Sequence, residues 1–186
     1  MTQSYLNSFS KDKPSILLIA QSIHQLQKAS YLMAKIDKKI ALIYIRRNER
    51  YDIIKKIAPN SCVLDDLDQL KDSIHLFTKI IFFSLYASPK SAKCIEIIDK
   101  HGKELFLIQE THSMPTHNGF HVGINFTPDL LFSASDEDKD GLIELGIASE
   151  HSGLSDGWMF QSNYFNWLSS KEQHSEIKIN SSYLML

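Results

Sequence analysis

Six short apolar runs, each closed by a polar turn and most followed by residues at helical spacing, constrain this chain more than any single motif. They are residues 15–20 (SILLIA), 40–45 (IALIYI), 62–64 (CVL), 79–85 (KIIFFSL), 104–108 (ELFLI) and 129–135 (DLLFSAS). A run that is continuously apolar, without alternation, reads as a strand buried on both faces, as in a parallel sheet covered by helices. Between the first two runs, Ile23, Leu26, Ala29, Tyr31, Leu32, Met33 and Ile36 recur at helical spacing up to Asp37. Residues 47–58 read as a second helix that buries Ile53, Ile54 and Ile57 and is ended by Pro59. Leu67, Leu70, Ile74 and Phe77 mark a third, and Ser88-Pro89 opens a fourth that runs to His101-Gly102. A last helix over residues 136–144 takes Ser135 or Asp136 as its N-cap and Gly146 as its terminator.

Consecutive parallel strands need crossover connections, and those connections cover both faces of the sheet. The expected fold is therefore α/β: a doubly wound, mostly parallel sheet with helices on both faces, Rossmann-like in plan. Residues 1–13 are polar and aperiodic and read as a flexible tail. Residues 14–160 form the α/β domain, and residues 161–186 an aromatic-rich C-terminal extension. Trp158, Phe160, Tyr164, Phe165 and Trp167 in this region suit either an interface or a core.

Length and charge narrow the function classes. At 186 residues and 43% apolar, the chain buries one sizeable core but hardly two. A formal net charge of −2 gives no general attraction to nucleic acid or anionic lipid. Cys62 and Cys94 form no CxxC pair, and the polar N-terminus carries no signal-peptide pattern, so reduced thiols in a cytoplasmic protein are expected. No apolar run approaches the roughly 18 residues of a membrane span, which leaves peripheral association at the inner membrane face open.

Candidate site residues gather after the strands, because open parallel sheets bind ligands at the carboxyl ends of their strands. Residues 102–146 hold the densest group: Gln109, Glu110, Thr111 and His112 directly follow the fifth run, with His117, Asn118 and His121 beyond. A partly buried Glu110 could serve as general base on an acceptor hydroxyl, or could simply cap the next turn. His112 is the competing base, since imidazole titrates near neutrality. His117 and His121 with His112 have zinc-like spacing, but Asn118-Gly119 breaks the helix that would align them, and no metal is expected. After the first run, Gln21, Ser22 and His24 replace the glycines of a dinucleotide-binding turn and could hydrogen-bond an acceptor or cap a helix. Ser84 and Tyr86 after the fourth run are similar candidates, with Ser88 as a cap. Asp65, Asp66 and Asp68 resemble a receiver-type acidic pocket, yet the acidic residues after the first strand and the lysine after the fifth that such a pocket requires are missing. The mixed-charge string of residues 46–50 (RRNER) reads as a solvated helix start.

The order of these elements, with residues 107–112 (LIQETH) and 128–135 (PDLLFSAS) leading through Lys139 and Leu142 to residues 144–147 (ELGI), resembles the N-terminal half of a GT-B glycosyltransferase. That superfamily includes the UDP-N-acetylglucosamine 2-epimerases and the bacterial polyol-phosphate and capsule polymerases. The resemblance covers roughly residues 16–160. It implies a domain that binds an acceptor sugar or polyol, with Glu110 or His112 nearest the chemistry and no cofactor. The nucleotide-activated donor is then held by a second domain or a partner chain, for which this chain has no room. Two other readings follow from the same residues: an α/β interaction module that docks a partner or a second copy through its aromatic segment, and half of a nucleotide-sugar epimerase supported by Glu110.

Overall fold

The structure of the chain, a computed structural model, describes residues 15–36, 40–46, 48–83, 89–109, 128–133, 135–144, 146 and 153–155. Strands β1 (Ser15–Ala20), β2 (Ile40–Ile45), β3 (Cys62–Leu64), β4 (Phe77–Phe82), β5 (Glu104–Ile108), β6 (Leu130–Ser133) and β7 (Gly153–Ser155) form one sheet. Helices α1 (Ile23–Lys35), α2 (Tyr51–Ile57), α3 (Asp68–Ile74), α4 (Pro89–Lys100) and α5 (Asp136–Glu144) lie between them in the chain. The strand order is β3-β2-β1-β4-β5-β6-β7, and every neighbouring pair is parallel. The chain thus builds outward from β1 to β3, returns to place β4 on the other side of β1, and builds outward again. This is the doubly wound α/β fold that the alternation of runs predicts.

Successive side chains along a strand point to opposite faces, and each face carries its own core. Leu17 and Ile19 of β1 join Ile43, Leu64, Ile80 and Leu105 on the side packed by Leu70 and Ile74 of α3, Ile95 and Ile98 of α4 and Leu142 of α5. Leu18 and Ala20 join Leu42 and Tyr44 on the side packed by Leu26 and Ala29 of α1 and Ile54 of α2. All six residues of β2 are buried. Truncating a side chain such as Leu18 to alanine in such a layer costs about 2–5 kcal/mol, the transfer term plus the cavity left behind.

Several boundaries differ from the sequence expectation. Phe77 does not end the third helix; it opens β4, pairing with Ser15 across a register irregularity. Helix α2 begins at Tyr51, four residues later than the apolar spacing suggests, with Arg50 at the N-cap position. Its three isoleucines cannot share one face: Ile54 is buried, whereas Ile53 is 42% exposed. Strand β6 is shorter than the run 129–135, since Asp129 accepts the Leu105 N–H at 2.8 Å through its side chain and Ser135 caps α5. Strand β7 was not anticipated; its three residues, Gly-Leu-Ser, make no apolar run. The predicted tail of residues 1–13 and the extension 161–186 lie outside the described residues. No helix among the described residues is long and apolar enough to cross a membrane.

Candidate functional site

The strand order reverses between β1 and β4, and the helices that follow them, α1 and α4, pack on opposite faces of the sheet, the arrangement of a topological switch point. Three side chains from separate parts of the sequence meet at that point. Gln21, the residue after β1, is 1% exposed, and Ser91 in the first turn of α4 is equally buried. Ser91 Oγ donates to Gln21 Oε1 at 2.9 Å, joining the end of β1 to the start of α4. Cys94, one turn along α4, lies beside the same amide.

Local sequence explains why Gln21 is held so firmly. Residues 22–25 read Ser-Ile-His-Gln, the S-x-x-Q pattern of a capping box. Ser22 Oγ accepts the Gln25 N–H at 3.1 Å, and the Gln25 side chain reaches back to accept the Gln21 N–H at 2.6 Å. The return bond falls on the residue before the cap instead of the cap itself, which draws Gln21 into the box. These bonds occupy the Gln21 and Gln25 backbone amides and the Ser22 and Gln25 side chains, in a turn without the glycines that would cradle a pyrophosphate.

The far end of the Gln21 amide is different. Nε2 is buried and has no hydrogen-bond partner among the described residues. The neighbouring thiol is a weak acceptor and no equivalent of an oxygen, although the amide would hydrogen-bond a thiolate there. Burial dominates that thiol: it pushes Cys94 up to about 12, opposed by the Gln21 side chain, so Cys94 stays protonated and inert at neutral pH. Cys62, buried at the start of β3, is likewise pushed up to about 11 by burial, with Lys55 opposing.

Ion pairs lie at both ends of the sheet, Arg46 with Asp65 at 2.6 Å just beyond the carboxyl ends of β2 and β3. Toward the amino ends of the strands, Lys79 pairs with Glu104 at 3.0 Å, and the ammonium stacks over Phe106. Those groups are exposed and ionic. At the carboxyl ends, Gln21, Gln25, Ser91, Gln109 and Ser133 are buried and uncharged. Gln109 follows β5 directly, and its backbone N–H donates to Phe132 O at 2.8 Å, extending the ladder to β6 by one bond. Ser133 Oγ donates to Ser135 O at 2.9 Å, and Ser135 Oγ accepts the Asp138 N–H at 3.1 Å, closing the turn after β6 and capping α5 as its sequence predicts.

Of the residues singled out in the sequence, Gln21 and Ser22 stand together at the switch point, His24 sits half-buried in the first turn of α1, and Gln109 stands at the end of β5. Glu110, Thr111, His112, His117, Asn118, Ser84 and Tyr86 lie outside the described residues. Ser91 and Gln25 escaped the sequence reading. The S-x-x-Q spacing was the available signal for Gln25, whereas nothing local announces Ser91, whose partner is 70 residues away. The acidic turn after β3 is engaged internally: Asp65 pairs with Arg46 at 2.6 Å, Asp66 accepts the Asp68 N–H at 3.1 Å, and Asp68 pairs with Lys71 at 2.6 Å. Among the described residues, no three His, Cys, Asp or Glu side chains group to hold a metal ion.

No known protein family, curated protein or solved structure matches this chain.

Proposed function

We propose that this chain is the acceptor-side domain of a GT-B-type glycosyl or polyol-phosphate transferase in bacterial surface polysaccharide synthesis, with the nucleotide donor held by a second domain or partner chain. The observation that supports this reading is the set of uncharged polar side chains, Gln21, Ser91, Gln109 and Ser133, gathered at the carboxyl edge of the sheet. Neutral amides and hydroxyls suit the oxygens of a sugar or polyol, which exchange hydrogen bonds with water for hydrogen bonds with protein at little electrostatic cost. The β1–α1 turn, glycine-free and closed on itself by Ser22 and Gln25, supports an acceptor in this position over a dinucleotide. Glu110 or His112, a few residues past the end of β5, supplies the general base for the attacking hydroxyl. Transfer requires the donor to be brought against that hydroxyl, and the chain alone catalyses little.

The test is a pair of titrations on the 186-residue chain followed by amide NMR. Glycerol 3-phosphate, as a polyol-phosphate acceptor, is expected to shift the resonances of Gln21, Ser91 and Gln109, and UDP-N-acetylglucosamine to leave them in place. Turnover of a nucleotide sugar by this chain alone would contradict the reading.

One observation favours a second reading, an α/β interaction module. Ile81, Phe106, Ile108, Leu130 and Phe132, aligned by the register of β4, β5 and β6 on the face opposite α4 and α5, are only partly buried. Truncation after Gly157 separates the cases: lost assembly with folding retained supports docking, and lost solubility makes the C-terminal aromatics core.

A further inference from the structure

We infer that the second face of β4, β5 and β6, together with the adjoining flank of α1, is the docking surface for the chain's own C-terminal segment, residues 156–186. The two faces of those strands are unequal. On one, Ile80, Phe82, Leu105, Leu107 and Leu131 are buried in the core that α4 and α5 complete. On the other, the register aligns Ile81, Phe106, Ile108, Leu130 and Phe132 into a continuous apolar surface, and each is only partly buried. Among the described helices, α4 and α5 pack on the opposite face, and α1 meets chiefly β1, β2 and α2. An apolar sheet face of this extent needs a layer over it. At the amino ends of the strands the half-exposed Lys79–Glu104 pair marks its rim.

Helix α1 indicates that the covering layer comes from the same chain. A helix lying on a sheet leaves its outer stripe to water, as α1 does at the exposed Ala34 and Lys35. Its first half does not: Gln25 through Tyr31 are all buried, on every side of the helix. Lys28 stands about 200° around the axis from the core residue Leu26, yet it is 6% exposed within the single chain. Gln27 and Lys28 each have a polar, ionic or ring contact, as the burial of such groups requires. Ser30 Oγ donates to Ile57 O of α2 at 3.5 Å, so the stripe of Gln25, Lys28 and Leu32 lies on the other flank, toward β4. Ile81 and Ile108 pack against the same cluster as Leu26 and Ala29, which makes the sheet face and this flank one surface.

Connectivity selects the occupant. The right-handed crossover rule assigns residues 110–127, which join β5 to β6, to the face of α4 and α5. The residues before Ser15 enter β1 at its amino end, whereas the buried turns of α1 follow its carboxyl end. Residues 156–186 leave β7 at that carboxyl edge. Three strand spacings separate β7 from β4, about 14 Å, and residues 158–168 cover about 16 Å even if wound as a helix. Their sequence, WMFQSNYFNWL, has five aromatic residues and no charged one, the composition of a layer that packs on apolar sheet. This inference stands apart from the acceptor-site reading; it makes the aromatic segment part of the domain core and leaves it no part in docking another chain.

Trp158 and Trp167 are the only two tryptophans of the chain, so the intrinsic fluorescence of the full 186-residue protein reads this segment directly. The native chain is expected to emit to the blue of the denatured chain and to resist quenching by acrylamide, equally at every protein concentration. Phe132→Lys sets a charge on the covered face and is expected to move emission to the red and raise quenching, with far-UV circular dichroism retained. Phe132→Ala, the milder change, carries the test if the lysine variant fails to fold, and is expected to move both signals the same way by less. Ile53→Lys, already exposed on α2, is the control and should change neither. Solvent-like tryptophans in the native chain overturn the inference. So does shielding lost on dilution, which assigns the face to a second copy, or shielding unaltered in a folded Phe132 variant.

Discussion

Ser91 Oγ donates to Gln21 Oε1 at 2.9 Å between two residues 70 positions apart, and this bond ties the first strand to the helix that follows the fourth. Both side chains are about 1% exposed, so neither can exchange the other for water. Ser91→Ala is expected to destabilise the fold by about 1–3 kcal/mol, because it orphans the second end of the amide. Gln21→Met removes the amide but also takes away the acceptor of the Ser91 hydroxyl, and is expected to cost about 0.5–1.5 kcal/mol. Combining the two substitutions should cost less than their sum, with a coupling of about 0.5–3 kcal/mol in denaturant unfolding. Additive effects would mean that the bond contributes nothing.

The cap of α1 is a second test of how the β1–α1 turn is built. Ser22→Ala removes the acceptor of the Gln25 N–H and should cost about 0.5–2 kcal/mol, whereas Ser22→Asp should retain the cap and add a favourable charge to a helix end that has none. Thermal unfolding of the two variants reads the difference. A loss in Ser22→Asp as large as in Ser22→Ala would show that the hydroxyl acts by something other than capping.

Much of the architecture is legible because strands buried on both faces leave uninterrupted apolar runs: the bounds of β1, β2, β3 and β5 coincide with theirs. The errors have local causes. Phe77 fits a helical spacing from Ile74, yet pairing with Ser15 draws it into the sheet. Ile53 and Ile54 cannot both face the sheet from one helix, since successive residues are about 100° apart. Gly153-Leu154-Ser155 becomes a strand only because β6 offers it an edge. The site divides in the same way. Gln21 and Ser22 stand out as polar residues closing an apolar run, but the amide's partner and its orphaned end are properties of the folded arrangement.

Helix α4 ends in a residue that only a glycine occupies without strain. Gly102 has φ of +58°, and its N–H donates to Asp99 O at 2.8 Å. A Cβ there would meet no atom within 4 Å, so Gly102→Ala is limited to the backbone cost, about 1–2 kcal/mol, as read from the denaturant midpoint. Gly102→Asn should cost less. A loss well above that range would mean that the turn packs against something beyond its own backbone.

The two buried thiols set an alkaline limit. Burial raises Cys94 to about 12 and Cys62 to about 11, above the roughly 8.5 of an unfolded thiol. Between those values the unfolded chain has lost protons that the folded chain keeps. Stability is therefore fully present below about pH 8.5 and falls as pH rises toward the folded values. Unfolding midpoints across that range should decline, less steeply in Cys94→Ala once its lower starting stability is subtracted. Neither thiol should react with a disulfide reagent at neutral pH until the chain unfolds; rapid reaction in the native state would contradict their burial.

The central claim is that the carboxyl edge at the β1–β4 switch point, centred on Gln21, takes an acceptor and not a nucleotide. Its most direct test is the Gln21 side-chain amide resonance during titration with glycerol 3-phosphate and, separately, with UDP-N-acetylglucosamine. A saturable shift with the first and none with the second is the predicted result. Shifts confined to the amino ends of the strands, around Lys79 and Glu104, or a Gln21 response to the nucleotide sugar alone, would contradict it.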